Sequence, residues 1–387
     1  MRTAFHSFVF STLLVVLSSL CGCSVSMHPY EYGAHSAVAG FPPATHSGWK
    51  ALSRDEAVQA ALVLSPRDQG LSSWRELGPA VSDCKRYVAR RPQADVVISD
   101  GNVTITWADI ARSLARLEKL LPALDSQPML LADEFIWYRR GPDIAFTGYF
   151  EPTLQASPVK TERFNYPLYR LPPDVRKGRR YHNREAIDEK GVLQGRGLEL
   201  AWVDDKVGAY FLQVQGSGRL VFPDGSVKHV LYGGKNNCAY VSLGRIMKEK
   251  GLLEPDNVSM QTIRDYLELH PEQVSSLFCE NPSYVFFRLA DSGPVGAMGV
   301  PLLPKASLAT DSRVIPLGSL TAFAVPMPGQ DGNQGTAGLL AGIGMAQDRG
   351  GAIKGNRADL FCGAGTWAEH VAGHLDTSGA LFLLIAR

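Results

Sequence analysis

The 387-residue chain lacks an excess of either charge: 39 Lys plus Arg stand against 38 Asp plus Glu. That balance removes nucleic acid, or any polyanion recognised by bulk charge, as the main partner. No basic cluster is expected along the sequence. The apolar run from Phe8 to Leu20 is too short to span a bilayer comfortably. The cysteines number six, and no pair of those beyond the leader has zinc-ligand spacing, so no metal is expected. There is no internal repeat and no phosphate-cradling glycine loop ending in lysine and serine, so no organic cofactor is expected either.

What is present begins with a leader. Arg2 precedes the short apolar run, which describes a signal peptide over residues 1–22. The run ends in "LCGCS", with Leu20 three positions and Gly22 one position before Cys23, the pattern of a bacterial lipobox. Cys23 is then the expected lipidation site, and its several acyl chains would make a stable membrane anchor. Ser24 after it fits the outer membrane, with the body facing the periplasm. A soluble periplasmic protein cleaved elsewhere is the alternative. Cys84, Cys238, Cys279 and Cys362 remain, enough for two disulfides whose pairing stays open.

Residues 23–49, rich in Gly, Pro, Ser and Ala and without apolar period, read as a tether. Helices are expected over 52–68 and 106–124, the second with Thr106 as N-cap. From about Phe146 the texture changes to short alternating runs: "AFTGYF", "GAYFLQVQGSGRLVFPDGSVKHVLYGG" and "SYVFFRL" read as strands, with "PDGS" as a hairpin turn. One helical insertion, 259–278, interrupts them, and "AVPMPG", "AGIGMAQD" and "GALFLLIAR" are again strand-length. The body is mainly β with some α, which suggests barrels.

Two motifs invite wrong assignments. "ADSGPVG" (290–296) looks like a serine-peptidase nucleophile turn, but no histidine stands in the matching context. "HVAGH" places His370 and His374 four apart, yet Glu369 precedes the pair instead of lying within it, so a solvated helix face is expected. "MAQDRGGAIKGNRADLFCG" (345–363) is different. Asp348 and Asp359 stand eleven positions apart among small residues that let a large ligand approach the backbone, with Lys354 and Arg357 able to hold polar or anionic groups. Turn-forming aspartates beside positive-φ glycines are the plain account of such a stretch.

"AQDRGGAIKGNRADLF", with "ATDSRVIPLGS" (309–319) upstream, resembles the three-aspartate (3D) domain of the membrane-bound lytic murein transglycosylase A (MltA) family. "FTGYFEP" (146–152), "YPLYRLP" (166–172), "QVQGSGRL" (213–220), "YGGKNNCAYVSLGR" (232–245) and "NPSYVFF" (281–287) match the same family in order. The resemblance implies a double-psi β-barrel, similar to barwin and certain endoglucanases, with a second β-barrel inserted. Residues 50–152 and 291–387 would form the first, residues 153–290 the insert, and the groove between them would hold a glycan strand.

The activity implied is non-hydrolytic cleavage of peptidoglycan between N-acetylmuramic acid (MurNAc) and N-acetylglucosamine (GlcNAc), giving 1,6-anhydromuramyl ends. A glycosidase usually needs two carboxylates. Here one suffices, because the nucleophile is the sugar's own tethered 6-hydroxyl. By its place in "RADLF", Asp359 takes the role of the acid that turns base, and Asp348 and Asp311 are its candidate neighbours in the catalytic set. Thr147, Tyr149, Gln215, Ser217, Lys235 and Asn236 are the implied substrate contacts. Asn237 and Cys238 depart from the glycine and histidine more usual in the family. Cell-wall synthases or scaffolds are implied as further partners. A hydrolase on the same barrel, with Asp348 activating water, and a non-catalytic glycan-binding lipoprotein are the competing readings.

Overall fold

The computed structural model describes residues 41–255, 257–329 and 336–387; the leader, Cys23 and the first part of the tether lie outside the described residues. In chain order the strands are β1 (Gly48–Ala51), β2 (Val96–Asp100), β3 (Val103–Thr106), β4 (Phe135–Gly141), β5 (Ile144–Glu151), β6 (Thr153–Ser157), β7 (Tyr166–Tyr169) and β8 (Glu199–Val203). They continue with β9 (Ser217–Val221), β10 (Val227–Lys235), β11 (Val285–Ala290), β12 (Ser307–Thr310), β13 (Leu320–Pro328), β14 (Thr336–Asp348), β15 (Arg357–Ala364) and β16 (Asp376–Ala386).

A closed ring runs β16–β13–β14–β12–β15–β5, with β5 paired back onto β16. Within it β12 lies parallel to β14 and β15 parallel to β5, while the remaining pairs are antiparallel. β4 and then β1 extend the sheet outward from β16. Strands β6 to β11, which fall between β5 and β12 in sequence, form a second sheet ordered β11–β10–β9–β6–β8–β7, and a parallel bridge between Arg170 and Phe287 joins its two edges. The protein is thus a β-barrel carrying an inserted β unit.

Burial explains why these runs became ring strands. β16 is buried from Gly379 to Ala386, and a strand covered on both faces reads as a continuous apolar run. The outer cover is the helix Trp107–Leu124, which buries Ile110, Leu114, Leu117, Leu121 and Leu124 on one face. Ser113 Oγ on that helix accepts the Ala386 N–H at 2.9 Å. Thr106 caps the helix as expected, in a reciprocal box with Asp109.

Several expectations need correction. "GAYFLQVQ" is not strand but part of the helix Lys206–Gln215, started by Asp205 accepting the Gly208 N–H and stopped by Gly216 at φ 84°. Ala209 to Gln213 are all buried, and a helix covered nearly all round loses the 3.6 period that would betray it. The insertion at 259–278 divides into Met260–Leu269 and Val274–Cys279, with Pro271 opening a single turn between. The folded body also begins before residue 50: Phe41 is buried with its ring 5.3 Å from that of Phe382, and Trp49 is buried. Cys84, Cys238, Cys279 and Cys362 are all free thiols, so neither expected disulfide forms. Among the described residues no helix is long and apolar enough to cross a membrane.

At the centre of the insert lies one charge. Arg184 is 2% exposed, donating Nη2 to Gln213 Oε1 at 2.9 Å and to the Ser283 carbonyl at 2.8 Å, and Nε to the Asn281 carbonyl at 3.2 Å. Its guanidinium stands 4.6 Å from the Tyr210 ring centroid and 5.1 Å from that of Tyr284.

Candidate active site

β5 and β15 lie side by side in parallel register, which sets Asp359 opposite Thr147 and Phe361 opposite Tyr149. Between them Gly148 meets the helix Thr366–His374: a Cβ there would stand 3.0 Å from Ala372 Cα and 3.1 Å from Cys362 Sγ. Glycine lets the helix close on one face of β5, and the strand's alternation turns Thr147 and Tyr149 to the other.

Thr147 Oγ1 donates to Asp359 Oδ1 at 2.8 Å. Tyr149 OH donates to Asp348 Oδ2 at 3.0 Å, and Asp348 Oδ1 accepts the Ala297 and Arg349 N–H groups, each at 2.8 Å. Tyr149, Leu302, Ala309, Ile353 and Phe361 pack as an apolar cluster beside the two acids. The expected pair of aspartates is therefore brought to one place, each held by a hydroxyl from β5.

Their environments differ. Burial, the largest influence, pushes the Asp359 carboxyl up to about 6; the Thr147 hydrogen bond and the Arg357 charge oppose it, and the Asp348 charge adds to it. Burial also raises Asp348, against the opposing N–H groups of Arg349 and Ala297 and the Tyr149 hydroxyl. Tyr149 is itself pushed well above its ordinary value, chiefly by burial, so it stays a neutral donor. Three donors favour the charged form at Asp348 while one does so at Asp359, so the proton held near neutrality belongs on Asp359. Arg357 has a buried Nε with no hydrogen-bond partner among the described residues.

Asp311 is a correction. Arg313 grips its carboxylate through Nε at 3.0 Å, Nη2 at 2.6 Å and its backbone N–H at 3.2 Å, and the Gly355 N–H adds a fourth contact at 2.9 Å. These hydrogen bonds, Arg313 first, hold it well below the usual carboxylate range. A group so engaged has neither a proton to give nor a free oxygen to offer; it braces the turn that leads into β15.

The expected contacts divide. Gln215 Oε1 accepts the Phe150 N–H at 3.0 Å, tying the insert's helix to β5. Ser217 is buried at the start of β9, and Lys235 is exposed at the end of β10. Asn236 is 0% exposed, its amide donating to the His182 and Pro282 carbonyls and accepting from the Cys238 and Tyr284 N–H groups. Asn236 is thus a loop bracket, contrary to the expectation of a sugar contact. His370 and His374 lie half-buried on the helix Thr366–His374, their ring nitrogens within hydrogen-bond distance of the Gly329 and His370 carbonyl oxygens. Among the described residues no group of three or more His, Cys, Asp or Glu is placed to hold a metal.

One cluster escaped the sequence reading. Glu151, at the end of β5 and 1% exposed, accepts from Arg219 Nε at 2.6 Å and pairs with His229 Nδ1 at 2.7 Å. All three stand within or beside the quoted blocks "FTGYFEP", "QVQGSGRL" and "VKHVLY". Only the fold brings β5, β9 and β10 together, so spacing alone held no signal.

A family model described as the MltA specific insert domain matches residues 145–288, and one described as the 3D domain matches residues 306–385. A membrane-bound lytic murein transglycosylase A from Vibrio cholerae is 37% identical over 245 residues, which is 62% of this chain and 65% of that relative, just under two thirds of its length. The crystal structure of a membrane-bound lytic murein transglycosylase from Agrobacterium tumefaciens superposes with a TM-score of 0.73 at 30% identity, covering 88% of this chain and 98% of that one. The crystal structure of E. coli MltA with bound chitohexaose gives a TM-score of 0.65 at 29% identity, covering 80% and 90%.

Proposed function

Because the chain belongs to the membrane-bound lytic murein transglycosylase A family, we propose that it cleaves the MurNAc–GlcNAc β-1,4 bond of peptidoglycan without water, leaving 1,6-anhydromuramyl ends, with Asp359 as acid and then base. The observation that carries this reading is a single carboxyl pushed to about 6, hydrogen-bonded on one oxygen by Thr147. That bond leaves Oδ2 to carry the proton. Asp359 gives it to the leaving glycosidic oxygen; the 6-hydroxyl then bonds to C1 and returns its own proton to the same carboxylate, which restores the starting state. A hydrolase on this barrel needs a second carboxylate free to activate water. The three donors on Asp348 argue against that use, and its charge instead supports the raised affinity of Asp359 for a proton.

Tyr149, Gln215, Ser217 and Lys235 are the proposed glycan contacts, together with Thr147. The bound chitohexaose in the E. coli relative supports a glycan ligand for this groove. The anchor is proposed at Cys23, in the outer membrane and facing the periplasm, and cell-wall synthases or scaffolds are proposed partners.

Mass spectrometry of murein digested by the purified protein tests the reaction. Anhydro ends are expected; reducing ends would identify a hydrolase, and no released product would leave a binding lipoprotein.

The pH profile has a defined sign. Since the acid must be protonated, kcat/KM falls as pH rises through about 6. Thr147→Val removes a hydrogen bond that favours the charged form, so the falling limb should move upward by about one pH unit. A limb that stays in place would show that Asp359 does not set it.

A further inference from the structure

The even total of charge hides a local imbalance, contrary to the expectation that no basic cluster exists. Between β7 and the helix Arg184–Asp188, the residues Asp174, Arg176, Arg179, Arg180, Tyr181 and His182 line a pocket of ≈ 450 Å³. Arg176, Lys177, Arg179 and Arg180 are exposed, and none has a carboxylate partner among the described residues. The acid in the wall, Asp174, is already engaged by Arg196 Nη2 at 2.9 Å and by the Tyr181 hydroxyl at 3.0 Å.

The backbone beneath these cations is held while the head groups stay exposed, Arg176 alone among them donating Nη1 to the Pro173 carbonyl at 2.9 Å. Asn237 sits at φ 58° and donates Nδ2 to the Arg176 carbonyl at 3.0 Å and the Arg179 carbonyl at 2.9 Å. Asparagine enters the left-handed region more readily than other non-glycine residues, and the two carbonyl bonds hold it there. Asn236 adds two clamps: its carbonyl accepts the Tyr181 N–H and its amide donates to the His182 carbonyl, both at 2.9 Å. A loop built this way presents its guanidinium groups without paying much ordering entropy when a ligand arrives. The same loop connects to the cleavage site through Arg184 to Gln213 and, along that helix, through Gln215 to the Phe150 backbone of β5.

We propose that this pocket binds the carboxylates of the peptides carried on the glycan strand, so that peptide-bearing strands are held better than bare glycan. The inference rests on the peptidoglycan reading above. Guanidinium forks match carboxylates in bidentate fashion. A concave pocket with an aromatic wall suits a peptide, whereas attraction to phospholipid headgroups calls for a broad basic face. The pocket also belongs to the unit whose helix is tied to β5, so it sits on the same inserted unit that borders the cleavage site.

The test compares cleavage of glycan strands that keep their peptides with strands stripped by an amidase, using the full chain and its Arg176→Gln/Arg179→Gln/Arg180→Gln variant. The variant is expected to raise KM about tenfold or more on peptide-bearing strands, with kcat unchanged and bare glycan cleaved as before. Arg179→Lys/Arg180→Lys should restore part of the loss. Equal losses on both substrates would mean a structural role and overturn the proposal, as would an unchanged KM on peptide-bearing strands. Loss of binding to anionic phospholipid vesicles with unchanged KM would also overturn it, by assigning the patch to a membrane. A wild-type protein that cleaves neither substrate would instead refute the activity itself, so the two failures are distinguishable.

Discussion

Asp359→Asn is expected to lower turnover by about 10²- to 10⁴-fold or below detection, while the protein stays folded and still binds glycan. Asparagine keeps the shape and can still accept from Thr147, but it cannot deliver a proton. The same substitution should stabilise the fold at neutral pH. The folded carboxyl is raised to about 6 from an ordinary value of 3.8, so its contribution to stability is fully present below the unfolded value and is lost as pH rises through about 6. Above that window the wild type carries a partly buried charge worth on the order of 3 kcal/mol against folding, which asparagine removes. Thermal unfolding of both proteins at acidic and neutral pH checks this: the midpoint of the variant should exceed that of the wild type only at the higher pH. Near-wild-type turnover would sink the catalytic assignment, and lower stability at every pH would make Asp359 a structural residue.

Arg184→Ala should cost about 3–5 kcal/mol. The guanidinium joins the Ser283 and Asn281 carbonyls, Gln213, and Asp188 at 3.3 Å. Its removal leaves the Ser283 and Asn281 carbonyls buried without a donor, leaves Gln213 Oε1 with only the Val285 N–H, and leaves Tyr210 and Tyr284 facing a void. Because the group sits wholly within the insert, urea unfolding should develop an early phase belonging to strands β6–β11 while the ring persists. A loss below about 1 kcal/mol would show that water or neighbouring side chains replace the contacts.

The parts of this molecule that could be read from its residues are those where one local rule dominates. The continuous apolar run of β16 marks a strand buried on both faces, Thr106 with Asp109 marks a helix start, and the proline-aspartate-glycine turn at 223–225 joins β9 to β10. Asp348 and Asp359 could be paired because they stand eleven positions apart in one glycine-rich stretch, and the fold sets them on β14 and β15, on either side of β12. What stayed hidden depends on partners distant in sequence. Asp311 looks like its two companions until Arg313 and Gly355 are seen to hold it. Asn236 looks exposed among polar neighbours, yet it is buried with its amide fully engaged. Arg184, in a stretch as polar as any surface loop, is buried because three carbonyl oxygens and two aromatic rings converge on it. The helix Lys206–Gln215 was hidden because burial of Gly208 to Gln213 in an unbroken run blurred its amphipathic signature.

The strand order carries a consequence for biogenesis. β5 holds Thr147 and Tyr149, but its partners on both sides, β15 and β16, come from more than two hundred residues later. Until β14 and β15 arrive the two hydroxyls of β5 have neither of their acid partners, Asp359 and Asp348, and loop closure over that separation makes the last docking step slow. The ring is therefore complete only once β16 has locked against both β4 and β5, so the pocket around Asp359 is the last part of the barrel to be assembled.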